Sequence, residues 1–90
     1  MGQDEADFPY PLTAHAHVSL RKRPMPLEWV KRTIERPDHT EPDAQDPALR
    51  HALRTIPENE RRVLRVIYNH TTHPFRVVTF YFDRRMSIAA

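Results

Sequence analysis

The chain predicts an α+β fold, two N-terminal helices packed on a three- to four-stranded antiparallel sheet. Three observations predict it. Apolar residues recur at helical spacing early in the chain, two runs of β-branched and aromatic residues fill its end, and prolines punctuate the boundaries. Its 90 residues suffice for one small hydrophobic core and no second. The expected layout is an acidic arm over residues 1–11, one domain over 12–86 and a tail over 87–90.

The opening MGQDEADFPYP is acidic, then broken by proline, with no apolar period. It reads as a loose arm whose Phe8 and Tyr10 are able to dock on the body. Thr13 is placed to cap a first helix over about residues 14–23, with Leu12, Ala16 and Leu20 on its buried stripe. Pro24 and Pro26 end that helix, and Pro26 can enter the first turn of the next. The second helix spans about residues 27–36, with Leu27, Val30 and Ile34 inward and Trp29 at the flank, and Pro37 stops it. DHTEPDAQDP, residues 38–47, is expected to be a loop. Residues 48–56 fit a helix or a strand; the strand is preferred because the turn-like PENE, residues 57–60, would close a hairpin.

RVLRVIY (residues 62–68) and FRVVTFYF (75–82) are the clearest strands, joined by the loop NHTTHP. In the first, Leu64, Val66 and Tyr68 share a face, opposite Val63, Arg65 and Ile67. In the second, Val78, Phe80 and Phe82 share a face, opposite Val77, Thr79 and Tyr81. The more apolar sets should meet the helices, which leaves Arg65, Thr79 and Tyr81 together on an open face.

Composition excludes several chemistries. With no cysteine there is no disulfide, thiolate nucleophile or cysteine-bound zinc, and with Gly2 as the one glycine there is no glycine-rich phosphate loop. No apolar run approaches the roughly 20 residues of a membrane helix, so the expectation is a cytoplasmic protein that does not engage a membrane. His15 and His17 stand two apart on a helix and point away from each other. His70 and His73 would hold an ion weakly. No metal and no cofactor are expected.

Charge is unevenly spread. Residues 1–47 carry a net of −3 and residues 48–90 a net of +5, with twelve arginines against two lysines overall. Guanidinium forks suit phosphate and carboxylate. The same arginines would also serve as ordinary surface charge, or pair with Glu58, Glu60 and Asp83. A face carrying Arg65, Thr79 and Tyr81, with Arg76, Arg84 and Arg85 nearby in sequence, offers donors to a phosphodiester. Metal-free RNA cleavage needs a base, an acid and cations around the phosphorane, and His, Tyr, Glu and Arg can supply them. His15 shares a broad helix face with Ser19 and Lys22.

Several strings resemble a known family. His15-Ala16 is followed eight residues later by Arg23, and the second helix ends in Arg36-Pro37-Asp38. Then come Arg54-Thr55-Ile56-Pro57, the run from Val63 to Asn69 (VLRVIYN) and the run from Val77 to Arg85 (VVTFYFDRR). Together, over about residues 12–86, they resemble a widespread family of small prokaryotic proteins of unassigned function, grouped with the BrnT and RelE-like toxins. The resemblance implies the RelE-like α/β fold and ribonuclease activity blocked by a cognate antitoxin. It directs attention to His15, Arg23, Arg65, Thr79, Asp83 and Arg84. The chain departs from such toxins in having only Lys22 and Lys31 as lysines, and Pro24 where a glycine is usual.

Two functions follow as expectations. The first is a metal-independent endoribonuclease toxin: His15 as general acid or base, Arg65 and Arg84 on the phosphate, and Arg23, Arg54, Thr79, Tyr81 and Asp83 around the substrate. An acidic antitoxin segment would cover the basic face. The second is a non-catalytic module of the same fold that holds a protein or nucleic-acid partner on its arginines. The acidic residues 3–7 would be able to fold over the basic face and damp it.

Overall fold

The computed structural model describes residues 8–86; the expectations for residues 3–7 and for the tail at 87–90 lie outside the described residues. Helix α1 spans Ala14–Lys22, helix α2 Leu27–Glu35, and four strands follow: β1 His39–Pro42, β2 Leu49–Ile56, β3 Arg62–Asn69 and β4 Arg76–Phe82. The strands form one antiparallel sheet in the order β1-β2-β3-β4. This is the α+β layout expected from the sequence, with residues 49–56 a strand.

Thr13 caps α1 by accepting the Ala16 amide at 3.1 Å, so an otherwise orphaned helix donor is satisfied. Its own amide donates to the Val77 carbonyl, and the Val77 amide donates to the Pro11 carbonyl. Leu12 thereby forms a parallel bridge with Val77, which covers the outer edge of β4 and lays α1 beside it. Residues 8–11 of the expected arm are docked: Phe8 is buried, and Tyr10 donates to Glu35 at 2.8 Å.

Helix α2 packs on β2 and β3. Its Leu27, Val30 and Ile34 meet Ala52, Ile56, Leu64, Val66, Tyr68 and Phe80 in the core, and Leu12, Leu20 and Trp29 pack at its margin. Each buried Val, Leu, Ile or Phe of the core itself contributes about 1.5–3 kcal/mol, and the partly buried Leu12 and Leu20 less.

Three expectations require correction. Residues 39–42, expected to be loop, are edge strand β1, paired from His39↔Leu53 to Pro42↔Arg50. An edge strand tolerates Pro42, whose missing donor faces away from the sheet. The faces of β4 also switch along its length. Ile67 pairs with Thr79 but Tyr68 pairs with Val77, so Val78 is the extra residue of a bulge. Val77, rather than Val78, therefore joins Phe80 in the core. Third, Arg65 does not lie on an open face, for reasons given next.

Candidate functional site: an arginine cleft beside a neutralised arginine

The sheet face away from α2 carries Glu41, His51, Arg65, Thr79 and Tyr81 by strand alternation and register. Arg65 is only 8% exposed. Its Nε donates to Asp83 at 3.0 Å, and its Nη1 donates to Glu41 at 2.9 Å and to His51 Nδ1 at 2.7 Å. A guanidinium can only donate, so Nδ1 is the bare ring nitrogen and Nε2 carries the proton. Nε2 then donates to Asp43 at 2.7 Å. Both nitrogens of His51 are thus engaged, and it has no lone pair open to a substrate proton.

The ionisation pattern agrees with a closed network. The Arg65 hydrogen bond holds the Glu41 carboxyl below its usual range, and the His51 hydrogen bond does the same for Asp43. Burial acts to raise Asp83, but the Arg85 amide and the Arg65 guanidinium outweigh it and leave it lowered. Burial likewise opposes the charge of Arg65, and its two carboxylates more than restore it. One buried cation matched by two hydrogen-bonded carboxylates is a structural centre.

The other expected residues are spread over two regions. Thr79 meets Ser19 of α1, hydroxyl to hydroxyl, at 2.7 Å. His15 is exposed one helical turn before Ser19. Tyr81 stands across from Arg65 in the ladder. Arg54 is apart from all of these. It donates to the Arg36 carbonyl, lies 3.8 Å from Asp38, and lines a groove with Lys31 and Arg32 of α2.

Arg23 and Arg84 do come together. Two clefts of about 430 and 580 Å³ adjoin at the end of the sheet where β3 begins and β4 stops. Arg62, Phe82 and Arg84 line both. The first is completed by Arg61, Val63, Asp83 and Met86. The second is completed by Arg23, Pro24, Met25 and Asn59. All four arginines, 23, 61, 62 and 84, are exposed. Asp83 turns its carboxylate to Arg65 and the Arg85 amide. Glu60 lies 3.6 Å from Arg62 as an exposed pair, worth little in water.

Local sequence explains the convergence. Arg23 is the C-cap of α1, stopped there by Pro24. After Ile56 a short 3₁₀ turn over Pro57–Asn59 leads to Glu60 and Arg61, both left-handed at φ 56° and 61°. The Arg61 amide closes the turn on the Ile56 carbonyl at 3.1 Å, and Arg61 and Arg62 emerge at the hairpin end. Arg61 and Arg62 were not singled out from sequence. Their signal was their position directly after a turn, opposite the Asp-Arg-Arg that follows β4.

The model of the domain of unknown function family DUF4258 matches residues 12–82. The chain belongs to that family. No curated protein and no solved structure matches it. The family boundaries enclose α1 through β4, so Arg23, Arg61 and Arg62 fall within the matched domain and Arg84 lies two residues past its end. Among the described residues, no helix is long and apolar enough to cross a membrane.

Proposed function

We propose that this DUF4258 protein is a binding module that holds single-stranded RNA by its phosphates in the arginine cleft. One observation carries this reading: four exposed arginines from three separate segments converge on two adjoining clefts that share Phe82. Arginine forks grip phosphate oxygens, and an apolar surface with an aromatic ring receives unstacked bases. The clefts are short and concave, unlike the helix or ribbon that enters a duplex major groove. Arg65 supports the site from behind by fixing Asp83, immediately before Arg84.

Binding of a labelled single-stranded RNA, followed by fluorescence anisotropy across a salt series, tests this. Log affinity should fall linearly with log salt, with a slope of about −0.7 per phosphate contacted. Arg62→Ala and Arg84→Ala should each weaken binding and flatten the slope by about 0.7. An unchanged slope in both variants would remove the cleft from the interaction.

A second reading, which rests on the resemblance of the sequence strings to BrnT and RelE-like toxins, is a metal-independent endoribonuclease toxin acting in the cytoplasm under an acidic antitoxin. What favours it is the exposed His15, one turn from the Ser19–Thr79 contact on the helix that ends at Arg23. At 1.5 Å per residue, His15 and Arg23 are about 12 Å apart along α1. A strand leaving the cleft along α1 and the β4 edge would pass His15, which would serve as general acid or base there. In this reading the antitoxin's acidic segment occupies the arginine cleft and competes with RNA. Incubating the labelled RNA with protein and EDTA separates the two readings. Intact RNA that is nonetheless bound leaves the module, and cleavage lost in His15→Ala with binding kept favours the enzyme.

A further inference from the structure

Resting on the binding reading above, we infer that the unit this site recognises is a dinucleotide step, one phosphodiester with a nucleoside on either side. The two clefts are separate in their outer walls and common in their middle. Arg62, Phe82 and Arg84 belong to both, so the centre of the site is a pair of guanidinium groups beside an aromatic ring. Each flanking cleft has its own methionine, Met86 on one side and Met25 on the other. Methionine is polarizable and adaptable, and packs against aromatic faces of varied shape. At about 430 and 580 Å³ each cleft falls within the roughly 300–1,000 Å³ typical of small-ligand sites.

Each outer wall thus sets a methionine beside an arginine of its own, on either side of a shared cationic centre, and a base on the methionine with a phosphate on the central pair matches that order. The outer arginines sit at opposite flanks. Arg61 lies beside the first cleft and Arg23 beside the second, where the phosphates before and after the step would run. Among the described residues, the acid a phosphate would displace from the central pair is Glu60, 3.6 Å from Arg62. Asp83 is committed to Arg65, so its charge is already balanced when a phosphate arrives. Phe82 is held edge-on to Trp29, with ring centres 6.1 Å apart, so the shared wall is fixed in place before the ligand binds.

The test uses the full chain with adenylyl-(3′→5′)-adenosine, adenosine 5′-monophosphate and inorganic phosphate as probes, titrated by calorimetry beside poly(A). The dinucleoside monophosphate carries less charge than the mononucleotide, so a merely basic surface would prefer the latter. The inference expects the dinucleoside monophosphate to bind at least tenfold tighter than either other small probe. Arg62→Gln and Arg84→Gln should each cost tenfold or more of that affinity, and Met25→Ala and Met86→Ala about threefold each. All four positions are at the surface or partly buried, and far-ultraviolet circular dichroism verifies that the variants are folded. If poly(A) binds but the mononucleotide matches or beats the dinucleoside monophosphate, the two-nucleotide step is overturned while RNA binding stands. If neither poly(A) nor the dinucleoside monophosphate binds, both fall.

Discussion

Arg65 is the residue on which the polar face of the sheet is organised. The Arg65 and Asp83 side chains are 10% and 9% exposed, and removing one partner of such a pair leaves the other charged and buried. Arg65→Met should therefore cost about 3–5 kcal/mol, while the double change Arg65→Met with Asp83→Leu should regain most of it. Urea unfolding of the three proteins measures both; a single variant within about 1 kcal/mol of wild type would refute the pairing. The acid limb follows from the same contacts. Glu41, Asp43 and Asp83 are all held below their ordinary values of 4.5, 3.8 and 3.8. A lowered folded pKa adds stability that is present above the ordinary value and lost as pH falls through the folded one. Stability should thus hold down to about pH 4–5 and decline below it, with a shallower decline in the double variant. Tyr10 gives the opposite case. Burial, then its hydrogen bond to Glu35, pushes its phenol up to about 12. Its contribution is complete below pH 10 and lost as pH rises through about 12. Tyrosinate absorbance should show a late-ionising component that Tyr10→Phe reduces, the remainder being Tyr68, which burial also raises.

At the scale of elements, the hairpin end between β2 and β3 is the strained part of the described chain. Glu60 and Arg61 both take left-handed backbone without being glycine, at about 1–2 kcal/mol each. Glu60→Gly should relieve one of these and stabilise the fold by about 1 kcal/mol, after the added freedom of the unfolded chain is discounted. It also removes the acid beside Arg62, so RNA affinity should rise. Denaturation and anisotropy on one variant check both effects, and a destabilised Glu60→Gly would show that its side chain matters more than its backbone. Much at this scale was legible in sequence: Thr13 as cap, the α2 stripe and the two final strands follow from spacing and residue type. Strand β1 was not, because HTEP has no alternation of its own and is a strand only because β2 offers it an edge. The Val78 bulge was hidden for a similar reason, since it sits where the Pro11–Thr13 segment pairs with Val77, a contact far apart in the chain. Burial of Arg65 was equally hidden, because Glu41 and His51 come from two other strands. Arg23 and Arg84 were named from the sequence, through the resemblance; that both line one pair of clefts follows from the fold. Their companions Arg61 and Arg62 were not, since only the folded hairpin carries them to the same cleft.

At the scale of the whole molecule, the fold brings together arginines that lie far apart in sequence. One end of the sheet gathers Arg23, Arg61, Arg62 and Arg84 around the clefts. Tyr68 and Phe75 lie toward the other end, their rings 5.0 Å apart, with Tyr10 stacked on Phe75 at 6.4 Å. Between them the Arg65 network is neutralised by its carboxylates, while the exposed Arg50 and Arg76 lie at the Tyr68 end, so what sets the cleft apart is its concave convergence of arginines rather than a monopoly of positive charge. Induced expression in bacteria, reading growth and total RNA together, tests what the arginine cleft is for. The set compares wild type with His15→Ala and with the double change Arg62→Ala and Arg84→Ala. For a binding module, any growth defect should disappear in the double variant, persist in His15→Ala, and leave RNA intact throughout. For an endoribonuclease, growth arrest should come with RNA fragments, and both sets of changes should abolish it. Arrest with intact RNA that survives loss of the two arginines would exclude the cleft from either role. His15 decides between the readings because it is the exposed histidine on the helix that leads to the cleft, whereas His51 is held at both ring nitrogens.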